Sequence, residues 1–205
     1  MTNTNNQVVE RSGYVSLNHP FGIFLDAEKY VPIANLPDEA SALLKLGLII
    51  ENFLSVFILN IRDEGTEDYV KDVRYFMPKL ETSVALGLPV KIADAFKLLN
   101  KVRNSFAHNL DYQMTQEDHL QLESKVSEIQ IQEVNPYEYF NSESISPIFT
   151  LGVDSLMFVR NAPYAMSDKQ RRIMRMVGLV YILSNKCAFF TINKLAHEGR
   201  LSIGN

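Results

Sequence analysis

The chain has 205 residues, 46% hydrophobic and 21% charged, with one cysteine, no tryptophan and a formal net charge of −4. That size and balance fit a single globular domain with a proper core and exclude a disordered chain. A lone cysteine cannot close an internal disulfide or supply a thiolate zinc cluster, and the mild acidity leaves any nucleic acid to a local basic patch.

The polar opening MTNTNNQVVERSG has no basic start followed by an apolar run, so no secretion signal is expected. Gly13, Pro20, Gly22 and Pro32 punctuate an irregular arm that can pack on the body. Pro37, Asp38 and Glu39 then suit the first turn of a helix whose apolar residues recur to Ile61. Its apolar run from Leu43 carries Lys45, Glu51, Asn52 and Asn60, which are expensive in hydrocarbon. A central buried helix of a soluble, cytoplasmic protein is expected, with no membrane partner. The break at Asp63–Thr66 leads to a second helix, capped by Thr66 and running to Leu86 with a disturbance at Pro78. Gly87 and Pro89 mark a stop and a restart.

A third helix starts near Val90, with Ile92, Phe96, Leu99, Val102 and Phe106 as its seam and Asn109 as a left-handed terminator. Thr115 and Asp118 open a fourth, through about Ile131. The stretch of about 134–166, with Pro136, Pro147 and Pro163, reads as a hairpin or a packed loop. Ser167 and Gln170 form a capping-box pattern for the last helix, along which Ile173, Met176, Val180, Leu183, Cys187 and Phe190 make a seam. Val177, Leu179, Tyr181 and Ile182 widen it, so this helix is expected to be buried on more than one side, in the bundle or at a subunit interface. The chain thus divides into a tail and arm over 1–34, one all-α antiparallel bundle of about five helices over 35–199 with the insertion before the last, and a tail over 200–205.

The segment Lys101-Val-Arg-Asn-Ser-Phe-Ala-His108 carries the chemistry. Asn104 and His108 are four apart, about 40° on the helix, so they share a face. Arg103 is about 140° from His108. The two meet only if the helix end unwinds, the arginine wraps round, or a second copy brings its own motif alongside. A histidine titrating near neutrality can move a proton from a 2′-hydroxyl or to a leaving oxygen. An arginine offers a fork of donors to phosphate, and Asn104 can orient the histidine or hold a phosphate oxygen. The same residues also suit a structural role, with Arg103 paired to a carboxylate and His108 capping helix carbonyls.

This Arg103–His108 segment resembles the R-x4-H motif of the HEPN superfamily of helical domains. Together with the Leu43–Ile61 helix, the stretch ALGLPV…ADAFKLLNKVRNSFAHN and the final DKQRRIMRMVGLVYILSNK, it is similar to the mannitol operon repressor (MltR) family within that superfamily. The likeness covers about 35–133 and 165–195. It implies a HEPN-like bundle, a homodimer whose motifs share one cleft, and metal-independent RNA cleavage with Arg103 and His108 catalytic and Asn104 auxiliary. It equally implies a non-catalytic MltR-type transcriptional regulator acting through protein contacts, with an antitoxin or a transcription regulator as partner. Leu110 stands where nucleotide-regulated HEPN toxins carry a tyrosine two residues past the histidine.

Lys169, Arg171, Arg172 and Arg175 gather at the start of the last helix and, with Lys101, are candidates for RNA binding. The acidic group Asp63, Glu64, Glu67, Asp68 and Asp72 reads as a turn and helix start. No cofactor and no metal site is expected. His19, His119 and His197 are expected to be structural or exposed, and Cys187 buried and inert.

Overall fold

The computed structural model describes residues 19–109, 112–138, 141–143 and 166–201. These residues form helices and turns with no strand among them. Two 3-10 turns, Pro20–Phe24 and Ala27–Lys29, precede seven α-helices. The helices are α1 (Val31–Ala34), α2 (Glu39–Ile61), α3 (Phe76–Ala85), α4 (Val90–His108), α5 (Gln116–Glu128), α6 (Ile131–Val134) and α7 (Asp168–His197). The expected all-α bundle is therefore present; most of the expected 134–166 insertion lies outside the described residues.

α7 is the central element. It packs on α2, α5, α6 and the arm, and from Met176 to Asn193 every residue but Tyr181 is buried. Its capping box forms as its sequence predicts, with Ser167 accepting from the Gln170 amide. The extra apolar width of α7 is thus spent inside the bundle. Cys187 lies in that interior, where burial raises its thiol well above the usual range. The arm is bound tightly: Phe21 and Tyr30 are fully buried, Tyr30 packs edge-on to Tyr181, and the Tyr181 hydroxyl donates to the Leu25 carbonyl at 3.1 Å. α2 and α4 run antiparallel, with Phe53 against Phe96 and, further along, Gly47 against Arg103.

α2 and α7 are both long and apolar enough to cross a membrane. Of their most apolar windows, 50% and 83% are buried inside the fold. The other half of the α2 window is not buried in the bundle.

Three expected boundaries shift, and one helix ends where expected in a different conformation. α2 starts at Glu39, two residues later than Pro37, because the Asp38 side chain caps it by accepting from the Ser41 amide at 2.7 Å. The second helix begins at Phe76, not Thr66. A proline ring excludes a helical turn behind it but costs nothing in a first turn, so Pro78 fixes the start. The acidic stretch before it has no apolar face to bury and folds instead as a loop, held by Thr66 on the Asp63 carbonyl and Arg62 on the Val70 carbonyl. Asn109 ends α4 in an extended conformation (φ −137°), its amide still bonded to the Ser105 carbonyl. α5 stops at Glu128 because Lys186, from α7, donates to the Val126 and Ile129 carbonyls at 2.6 and 2.8 Å.

Candidate functional site

The α4 helix carries an unbroken polar stripe. Lys97, Lys101, Asn104 and His108 recur at three- and four-residue steps, with Asn100 and Ser105 beside them. They line a groove of about 810 Å3 between α3, α4 and α5. Met77 and Leu98 supply its apolar surface, Lys125 faces it from α5 while paired with Glu128 at 2.9 Å, and Asp94 is the one carboxylate among its described lining residues. A chain of net charge −4 therefore gathers three lysines and a histidine in one open groove. His108 is exposed at the end of α4 and makes no side-chain hydrogen bond to another described residue. Asn100 is almost fully buried at the base of the stripe, and its Oδ1 has no hydrogen-bond partner.

Arg103 lies on the other flank of α4, against α2. Its Nη1 is 3.4 Å from Glu51 Oε2, and its guanidinium sits 5.6 Å from the centre of the Phe76 ring. Glu51 also faces Lys79, which donates to Ser55 Oγ at 2.7 Å and pairs with Asp72 at 3.3 Å. The Arg103 stem lies directly over Gly47: a Cβ there would stand 2.7 Å from Arg103 Cδ. That glycine interrupts an apolar helix because only a bare Cα lets the arginine cross. Gly47→Ala is accordingly expected to lose about 1–2 kcal/mol, although alanine is the better helix former by about 1 kcal/mol. Urea unfolding checks it, and a Gly47→Ala, Arg103→Ala double variant should recover most of the loss.

The cations at the start of α7 divide. Arg172 Nε contacts Glu39 Oε1 at 2.6 Å, and Arg175 is ion-paired with Glu123, so both tie α7 to its own bundle. Lys169 and Arg171 are exposed. Glu123 and Lys125 are two residues apart on α5, about 200° round the helix, so the α7 cations stand on the far side of α5 from the groove. His119 is buried in that seam with neither ring nitrogen hydrogen-bonded. Burial first, then the Arg175 charge, hold its pKa below the usual histidine value.

The fold thus brings Lys101, Asn104 and His108 together and keeps Arg103, Arg172 and Arg175 in ion pairs elsewhere. Lys97 was readable as the next residue of the same stripe. Lys125 reaches the groove only through tertiary packing, and Gly47 carried a signal of its own as a glycine inside a helix. Among the described residues no group of three or more His, Cys, Asp or Glu is placed to hold a metal ion. No protein-family model, curated protein or solved structure matches the chain.

Proposed function

We propose that the chain is a HEPN-like domain of the cytoplasm that holds RNA along α4 and cuts it without a metal, in defence, stress or toxin–antitoxin regulation. The observation that supports this reading is the cationic groove ending at an unpartnered, exposed His108. Lys97, Lys101 and Lys125 would neutralise backbone phosphates, and Asn104 would donate to a phosphate oxygen. His108 would transfer the proton: the 2′-oxygen attacks the adjacent phosphorus, the 5′-oxygen leaves, and a 2′,3′-cyclic phosphate remains. Arg103 joins the reacting centre only if its guanidinium leaves Glu51 for phosphate, or if a second copy in a homodimer supplies the motif across a shared cleft. Cleavage of single-stranded RNA by the purified chain in EDTA is the test. His108→Ala should slow it by about 10²–10⁴-fold with the melting temperature unchanged; equal cleavage by that variant overturns the reading.

A second reading, a non-catalytic MltR-like regulator working through protein contacts, is favoured by the Arg103–Glu51 pair, which gives the arginine a structural task. Regulation that survives in an Arg103→Ala, His108→Ala double variant would select it.

A further inference from the structure

α7 buries its apolar width, whereas α2 does not. Leu44, Leu48 and Leu59 are 47%, 62% and 47% exposed. Leu44 and Leu48 lie about 40° apart and form a short apolar stripe, whereas Leu59 falls on the same face beyond Glu51, Asn52 and Ser55. Beside Leu48 the stripe opens into a groove of about 290 Å3 between α2, α1 and the first 3-10 turn. Ile23, Leu48 and Ile49 form its apolar walls, and among its described lining residues only Lys29 and Lys45 are charged. Both lysines are exposed, and neither has an ion-pair partner among the described residues.

We propose that this face docks an acidic amphipathic helix of a protein partner. Apolar side chains of that helix lie along the leucine stripe and enter the groove at Ile23 and Ile49, and its carboxylates meet Lys29 and Lys45. Charge complementarity selects this occupant. A second copy packed symmetrically on the same patch would bring lysines against lysines, with no carboxylate in the groove to answer them. An anionic bilayer would leave the concave groove beside Leu48 unfilled, whereas side chains of a docked helix can enter it. The surface is separate from the α4 groove and stands whether or not the chain cuts RNA.

The full chain, methyl-labelled for NMR, is titrated with a synthetic amphipathic helix of about 18 residues, leucine on one face and glutamate on the other. The glutamate peptide should shift the Ile23, Leu48 and Ile49 methyls, and its lysine counterpart should not. Lys29→Glu with Lys45→Glu should weaken binding at least tenfold, as should Leu48→Asp, while Lys101→Glu should leave it unchanged. All these positions are exposed, so the variants should fold. Four results overturn the proposal. One is binding that survives the double charge reversal. Another is a set of shifts that maps to the α4 groove. The third is methyl shifts that follow protein concentration without peptide and vanish in Leu48→Asp, which identify a second copy as the occupant. The last is capture by phosphatidylglycerol vesicles, sensitive to the same double reversal, with no response to the peptide.

Discussion

Phe53→Ala is expected to lower the unfolding free energy by about 3–5 kcal/mol, the range for removing a fully enclosed aromatic ring. Phe53 is completely buried, and its ring stands 6.1 Å from Phe21, 5.2 Å from Phe24, 6.0 Å from Phe57 and 5.8 Å from Phe96. These neighbours come from the arm, α2 and α4, so the cavity would open where three parts of the chain meet. They are held by their own packing and cannot collapse together, which places the cost towards the top of the range. The urea midpoint should fall with the slope unchanged, and amide exchange over Pro20–Tyr30 should accelerate more than exchange in α5. Leu44→Ala, at an exposed site of the same helix, should change stability by no more than about 0.5 kcal/mol. A comparable loss in both variants would contradict the placement of Phe53 at the junction.

Glu39→Ala is the second large effect, about 2–4 kcal/mol. Glu39 is a first-turn residue of α2 yet 5% exposed, because its two oxygens do two jobs. Oε1 accepts from Arg172 Nε at 2.6 Å, and Oε2 accepts from the buried Met114 amide at 3.2 Å. Removing it leaves the Met114 amide without a partner and the Arg172 guanidinium without its counter-charge. The guanidinium is partly open to water, which keeps the loss below that of a fully buried pair. Glu39→Gln retains an acceptor for Met114 and should lose about half as much. Exchange at the Met114 amide separates the two: fast in the alanine variant, protected in the glutamine one. Because Met114 follows α4, the alanine variant also tests how far the loop after His108 depends on this anchor.

The helices were legible where local chemistry decides them. The Ser167–Gln170 and Thr115–Asp118 capping boxes and the seams of α4 and α7 are written in residues three and four apart, and each formed as expected. What escaped was decided from a distance. The C-terminal carbonyls of α5 are capped by Lys186, and those of α2 by Arg200, which donates to the Asn60 and Arg62 carbonyls at 2.6 and 3.0 Å. Neither cation is near its helix in sequence. The same holds for the site. The stripe from Lys97 to His108 follows from helical spacing alone, but which flank of α4 would face solvent depends on Glu51 and Gly47, about fifty residues away. Arg103 and His108 look alike as motif residues; only the packing of α2 sends one inward and leaves the other in the groove. The α7 cations were likewise ambiguous until Glu39 and Glu123 appeared opposite them.

The central position of α7 also sets the order of events at the ribosome. The arm, α2 and α5 each turn an apolar surface towards a helix that begins forty residues downstream of the end of α5. Until α7 has been translated, those surfaces have no native partner, and the nascent chain carries its greasiest segments uncovered. Synthesis therefore passes through an interval in which the fold itself cannot cover those segments. That interval ends at once when the last long helix slides into place.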